Sequence, residues 1–386
     1  MNILFVFNSF PGIGGVESVS NCLMDCLGEH HTIYSVSFIG DSTAPVSARL
    51  SDSFRFPSVD NAVNIDFFNS LTDRLDIDCV INQGVYPELS GIVFNGHGKH
   101  GMKIISVLHG MPGYEKRQFW TLDMMRNASG YKKIERRFLA YIGLNHRYNE
   151  YIRKYRDACI KAVDGSDRVV LLTEMYKDMF IKEYGIRRHK DKVCFIENPL
   201  PAKYSSMKEP AWALKENNVL YVGRLSAEKR VDIILELWRK VARPDWHLYI
   251  VGDGPEMGYL KDMGTGLNNV VFTGYVSDPA EYYARGKIIL LASEFEGFCM
   301  CLIEAQRFGV VPVAYNVSAG VSSILECGGG VAVRKDDFKS LCHSVESLMD
   351  DQSCLERMSA MAFGKSSRYE LDKIGGQWLN LIESIA

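Results

Sequence analysis

Ser293-Glu294-Phe295-Glu296-Gly297-Phe298-Cys299-Met300-Cys301-Leu302-Ile303-Glu304-Ala305 is the stretch from which the rest of the chain is read. It follows Lys287-Ile288-Ile289-Leu290-Leu291-Ala292, an apolar run of the kind that forms a parallel strand buried on both faces. It leads into Leu302-Ile303-Glu304-Ala305-Gln306-Arg307-Phe308-Gly309, a helical pattern that ends on a glycine stop. The segment therefore reads strand, loop, helix. Glu296 falls in the loop and Glu304 near the first turns of the helix. Between them, Gly297, Phe298, Cys299, Met300 and Cys301 leave backbone N–H groups at a helix N-terminus, which suits an anion. Carboxylates on either side of an anion site fit a ligand with phosphates in the middle and hydroxyls at both ends, such as a nucleotide-sugar. Two glutamates on such a unit also occur for structural reasons alone, so the rest of the chain has to decide.

The same unit recurs at the N-terminus. Asn2–Asn8 is an apolar strand, Ser9–Gly15 a turn with Gly12, Gly14 and Gly15, and Val16–Leu27 a helical pattern. The glycines depart from Gly-x-Gly-x-x-Gly, and no acidic residue clearly ends the second strand, placed at Thr32–Ile39, so the dinucleotide fingerprint is weak. Further strands are expected at Asp78–Asn82, Lys103–Leu108, Asp167–Thr173 and Lys192–Asn198. His109 ends one of them, at the edge of an α/β sheet where ligands bind. Pro199–Trp212 lacks periodicity and reads as a linker. Strands then restart at Asn218–Gly223. That strand runs into Arg224-Leu225-Ser226-Ala227-Glu228-Lys229, where two cations on a loop entering a helix from Glu228 can converge on a diphosphate. Strands follow at Trp246–Val251, Val270–Phe272 and Val310–Tyr315, and helices at 336–364 and 369–385.

Glu-Gly-Phe with Glu-Ala eight residues after its first Glu resembles the signature of the family 4 retaining glycosyltransferases, glycosyl transferases group 1. Gly-Gly-Val-Glu, the strand-end histidine, Gly-Arg-Leu-x-x-x-Lys and Thr-Gly-Tyr-Val at 273–276 resemble that family's motifs in the same order. The resemblance implies an α/β chain with two facing Rossmann-like domains (GT-B) and an interdomain cleft. Residues 1–198 would form the acceptor-side domain and 199–365 the nucleotide-sugar donor domain, with a C-terminal helix at 366–386 packing back on the first. It implies His109 and Glu296 as catalytic residues beside the transferred sugar. It gives Gly14, Gly15, Arg224, Lys229, Tyr275, Gly297, Phe298, Cys299, Met300 and Glu304 to the donor, with Glu304 on the ribose and Tyr275 beside the base. The expected reaction is metal-independent transfer of a hexosyl group, with retention, from a nucleotide diphosphate sugar to an acceptor hydroxyl. Such enzymes often build bacterial surface polysaccharides. No cofactor is implied, since the nucleotide-sugar is a substrate. Two other readings stay open: a non-catalytic sugar-nucleotide binder, and an NAD-dependent Rossmann enzyme, disfavoured by the missing ribose acid.

At 386 residues the chain accommodates two domains, with an ordinary apolar content and near-balanced charge. Its ten cysteines include no Cys-x-x-Cys, so reduced thiols in a cytoplasm are expected rather than a metal site. No signal peptide or membrane-length apolar run is read. Charge is segregated. Residues 1–98 carry three Lys/Arg against eleven Asp/Glu, and residues 99–192 carry twenty-one against eleven. Within 114–161, basic residues alternate with Tyr131, Phe138, Tyr141, Tyr148, Tyr151 and Tyr155. No RNA- or DNA-binding motif accompanies them. The resemblance implies a nucleotide diphosphate sugar and a lipid-linked or soluble glycan acceptor as partners, and the basic, aromatic stretch adds an anionic membrane surface, with the protein peripheral on the cytoplasmic face. An ordinary helix pair with a tyrosine-rich core face remains the other reading of 114–161.

Overall fold

The computed structural model describes residues 1–96, 101–119 and 145–386. The chain divides into two compact units, Met1–Pro201 with Leu371–Ala386, and Ala202–Glu370.

Among the described residues the first unit has seven strands: β1 (Asn2–Ser9), β2 (Thr32–Ile39), β3 (Leu50–Arg55), β4 (Cys79–Asn82), β5 (Lys103–Val107), β6 (Arg168–Leu171) and β7 (Val193–Phe195). They lie in the order β3-β2-β1-β4-β5-β6-β7, all parallel. Ile3 to Phe7 are fully buried because β1 is central and covered on both faces. β3, Leu-Ser-Asp-Ser-Phe-Arg, carries no apolar run and gives no strand signal in the sequence. It is an edge strand whose polar side chains face water, as unpaired edges commonly do. The helices are α1 (Gly15–Leu27), α2 (Asn61–Arg74), α3 (Pro87–Asn95), α4 (His146–Gly165) and α5 (Met175–Tyr184).

The second unit repeats the plan with β8 (Asn218–Val222), β9 (His247–Val251), β10 (Val270–Gly274), β11 (Ile288–Leu291), β12 (Val311–Asn316) and β13 (Val331–Arg334), parallel in the order β10-β9-β8-β11-β12-β13. Besides the single turn Ala202–Ser205, its helices are α6 (Val231–Val241), α7 (Met257–Gly264), α8 (Ala280–Arg285), α9 (Met300–Arg307), α10 (Ala319–Leu325), α11 (Phe338–Asp350) and α12 (Gln352–Ser366). The single helix expected over 336–364 is two. Asp351 interrupts it and its carboxylate caps the second, accepting the Cys354 N–H at 2.8 Å.

In each sheet successive strands step one way and then the other. The reversal falls between β1 and β4 in the first unit and between β8 and β11 in the second. At such a point the loops leaving the C-terminal strand ends diverge and open a crevice, the usual ligand position in an open α/β sheet.

The unit boundary lies at Pro201/Ala202 and at Glu370/Leu371, not after 198 and before 366. Arg307, buried on α9, is the reason. Its guanidinium donates to the carbonyls of Tyr204, Ser205 and Met207 and pairs with the Glu370 carboxylate at 3.2 Å. The segments next to both chain crossings, 204–207 and Glu370, are thus fastened to the second unit. Beyond them, α13 (Leu371–Glu383) packs against α1 in the first unit, with Gly375 so near Cys26 that a Cβ would fall 2.1 Å from the thiol sulfur.

The aromatic part of the membrane expectation fails where α4 is described. Tyr155 is buried, edge-on to Tyr86 and Tyr114, and Tyr148 and Tyr151 pack on Phe119. The helix turns its tyrosines inward because they share one face with Ala158, Cys159, Ala162 and Val163. Lys154 pairs with Glu150 and Arg153 with Asp157 on the solvent side. Residues 120–144, with Tyr131, Lys132, Lys133, Arg136, Arg137, Phe138 and Tyr141, lie outside the described residues.

Candidate functional site

Two loops leave the switch point of the second sheet side by side. The first follows β8. Its glycine turn is pinned from below: Gly223 N–H donates to Val251, Leu225 N–H to Asp253, and Glu256 N–H to Leu225. Gly252 has φ 143°, and a Cβ there would lie 1.9 Å from the Gly223 carbonyl oxygen, so only glycine admits this approach. The Tyr221 hydroxyl then donates to the Arg224 carbonyl at 2.8 Å. Arg224 is held at the backbone while its side chain stays exposed, with no ion pair among the described residues.

The helix expected from Glu228 starts later. Ala227–Lys229 is a 3₁₀ turn, Arg230 is left-handed at φ 50°, and α6 begins at Val231. The left-handed residue costs on the order of 1 kcal/mol. A fork of hydrogen bonds from its guanidinium to the Asp232 carboxylate, 3.0–3.2 Å, offsets it. The break turns Lys229 off the helix and toward the second loop.

That second loop follows β11. Its backbone is tied to the first by Glu294 N–H donating to Glu228 at 2.7 Å. Lys229 Nζ pairs with Glu296 Oε1 at 2.8 Å, and the buried Ser293 hydroxyl donates to the same oxygen at 2.7 Å. Burial alone would discharge Lys229. The Glu296 carboxylate outweighs it and holds the amine above its ordinary pKa, so the cation persists. Phe298 is buried edge-on against Tyr369, and Cys299 is the N-cap of α9 without a side-chain cap. The Cys299 and Cys301 sulfurs lie 3.3 Å apart. Met300 opens α9, and Gly309, at φ 66°, ends the turn after it.

Glu304 sits on the next turn of α9. It is half-buried and accepts a hydrogen bond from the buried Tyr283 hydroxyl at 3.0 Å. Burial raises its carboxyl pKa, with the Tyr283 hydroxyl opposing. Tyr275 is exposed just past β10.

Gly14, Gly15 and His109 belong to the first unit. Glu17, in the first turn of α1, folds its carboxylate back over the glycine loop. A Cβ on Gly14 would fall 2.3 Å from Glu17 Oε2, whereas Gly15 has open space beside it. Burial raises the Glu17 carboxyl, and the N–H groups of Glu17 and Gly14 counter this. Gly14 is therefore small to admit the chain's own carboxylate. His109 stands just beyond β5, with Nε2 2.6 Å from Gln83 Oε1. Burial lowers its pKa to about 4, so the ring is neutral.

The structure thus joins Lys229 and Glu296 directly, sets Arg224 and the start of α9 on the same two loops, and anchors Glu304 to Tyr283. Sequence reading missed Ser293, Tyr283, Gln83 and Glu17. Ser293 and Gln83 had one usable signal, a polar residue at the end of an apolar strand.

Residues 203–365 match the family of glycosyl transferases group 1, which spans nearly the whole second unit. Residues 203–365 are a glycosyl transferases group 1 domain. An uncharacterized glycosyltransferase of Haemophilus influenzae is 29% identical over 230 residues, 57% of this chain and 62% of that protein. The amylovoran biosynthesis glycosyltransferase AmsD of Erwinia amylovora is 25% identical over 244 residues, 61% of this chain and 66% of that one. The chain spans less than two thirds of either curated relative. In three dimensions it resembles Anabaena Alr3699/HepE, solved in complex with UDP, with a TM-score of 0.74 at 17% identity and full coverage of both chains. That likeness establishes the architecture: the group 1 domain and the unit before it are the two Rossmann-like halves of a GT-B fold.

Proposed function

We propose that the protein is a retaining glycosyltransferase that moves a hexosyl group from a nucleotide diphosphate sugar to a hydroxyl of a glycan acceptor in bacterial surface polysaccharide synthesis. The observation that carries this is the Lys229–Glu296–Ser293 cluster at the switch point of the group 1 domain. The names of the relatives support the polysaccharide context, among them an amylovoran and a capsular polysaccharide glycosyltransferase.

In this reading the diphosphate takes the place of Glu296 at Lys229. Arg224 and the N–H groups opening α9 add to the positive field as negative charge grows on the leaving group. Glu296, released from the lysine, turns to the sugar hydroxyls, and His109 approaches the sugar. Gly14, Gly15, Gly297, Phe298, Cys299 and Met300 border the donor, Glu304 holds the ribose and Tyr275 lies beside the base. The diphosphate oxygen accepts the acceptor's proton on the face from which it leaves. Two cations and a helix N-terminus do here what a metal ion does elsewhere.

A panel of UDP- and GDP-sugars tests the reading. The cognate donor should raise Tm by mass action and turn over in EDTA at an undiminished rate. A protein that binds NAD but none of the panel, or whose transfer in EDTA returns only with Mn²⁺ or Mg²⁺, would contradict it.

We also propose attachment to an anionic leaflet through Lys132, Lys133, Arg136 and Arg137, together with the exposed Arg153, Lys154 and Arg156. The acceptor would then be lipid-linked. Among the described residues no helix is long and apolar enough to cross a membrane. Each basic residue near the surface contributes about 1 kcal/mol. The protein should pellet with phosphatidylserine-containing vesicles at low salt and release at high salt. Recovery in the supernatant with anionic and neutral vesicles alike would point to a soluble acceptor.

A further inference from the structure

β4 and β5 are neighbours in the first sheet, with Asn82 in register with Ser106. Gln83 is the first residue beyond β4, and His109 the second beyond β5. Their side chains meet across the sheet's C-terminal edge, with Nε2 of the ring 2.6 Å from the amide oxygen. Gln83 is 2% exposed, and its amide nitrogen is buried with no partner among the described residues. The amide oxygen therefore carries all that the Gln83 side chain does for its surroundings.

We propose that Gln83 is a positioning residue that fixes His109 as the ring protonated on Nε2, leaving Nδ1 bare to accept a hydrogen bond from a sugar hydroxyl. The inference rests on the glycosyl-transfer reading and deepens it. A carbonyl oxygen has no proton to give, so at 2.6 Å the ring nitrogen must donate. In a neutral imidazole the other nitrogen is then a pure acceptor. Nδ1 has no hydrogen-bond partner among the described residues, and the ring is half-buried, so a ligand can reach it. Among the described residues burial is the one influence on its proton affinity and no charged group adds to or offsets it, so the imidazolium is disfavoured down to pH about 4. A bare acceptor selects a hydroxyl over a phosphate or carbonyl oxygen, which would face it lone pair to lone pair. The unpaired amide nitrogen costs about 1–3 kcal/mol. A sequence free to choose an apolar residue there would avoid that cost.

Nitrogen-15 NMR of histidine in the full chain tests this, with the His109 signal assigned by its loss in His109→Asn. The wild type should show His109 as the Nε2–H tautomer, without titrating between pH about 5 and 8. Gln83→Glu keeps the shape but places a carboxylate against Nε2–H. It should lift the His109 midpoint above its unperturbed value of about 6.5. Transfer of the panel's best donor should then fall roughly tenfold for each pH unit below that midpoint and recover above it. Gln83→Leu should give mixed tautomers and a raised donor KM. An Nδ1–H tautomer in the wild type, a single unchanged tautomer in Gln83→Leu, or a Gln83→Glu titration that overlays the wild type would overturn the proposal. The tautomer is read without substrate, so its failure is separable from an absence of glycosyl transfer.

Discussion

Lys229→Ala should lower transfer roughly 10²-fold or more, the scale of removing one preorganised stabiliser of transition-state charge. The loss belongs in kcat, because the charge on the diphosphate grows as the sugar leaves and the lysine meets it most strongly there. Removing the lysine gives the variant a second defect. Glu296 is 9% exposed and would keep Ser293 but lose its cation. Lys229→Arg separates the two effects. It restores charge, but a planar fork does not replace a point charge in a contact built for one ammonium, so recovery should be partial. Glu304→Ala should behave differently. Its carboxylate is anchored through Tyr283 on α8, beside the nucleoside in the proposed pose, and so helps ground state and transition state alike. Donor KM should rise while kcat changes little. Steady-state kinetics on purified variants with wild-type Tm values decide. Near-normal kcat in Lys229→Ala would remove the phosphate role, and an unchanged donor KM in Glu304→Ala the ribose role.

How far the sequence could be read follows from where each signal resides. Parallel strands buried on both faces are continuous apolar runs, so β1, β5, β8, β11 and β12 stand out within a residue or two of their ends. β3 sends no such signal, because its side chains meet water. Loop chemistry was legible as motif and illegible as geometry. Gly-Arg-Leu-x-x-x-Lys places two cations after a strand. That Lys229 leaves the helix and reaches Glu296, 67 residues away, depends on one left-handed residue, Arg230. Its conformation is held by a side-chain fork to Asp232, not by a glycine. Partners distant in sequence leave no periodicity. Ser293 under Glu296, Tyr283 under Glu304 and Gln83 under His109 are such partners. The tyrosines of α4 show the reverse error. Alternation with basic residues suggested a surface, and helical spacing with Ala158, Cys159 and Ala162 makes it a core face.

Arg307→Met should destabilise the second unit more than any substitution confined to the donor loops. Arg307 sits three residues beyond Glu304 on α9 and is 4% exposed. Its guanidinium donates to three backbone carbonyls, those of Tyr204, Ser205 and Met207, and its charge is met by Glu370 at 3.2 Å, with the plane 4.9 Å from the Phe363 ring. Methionine fills part of the volume and supplies none of the five donors. Three carbonyls and a carboxylate would then lose the guanidinium, the Tyr204 carbonyl keeping only the Met207 N–H at 3.2 Å, and removing one member of a buried ionic cluster costs about 3–5 kcal/mol. For a unit of this size that is roughly 10 °C in Tm. The same contacts fasten 204–207 and 370 to α9, so the variant should also expose those segments to protease before the sheet unfolds. Limited proteolysis with differential scanning calorimetry reads both effects. A Tm within about 2 °C of the wild type, with cleavage unchanged near 204–207, would show that Arg307 rests on these carbonyls without holding them.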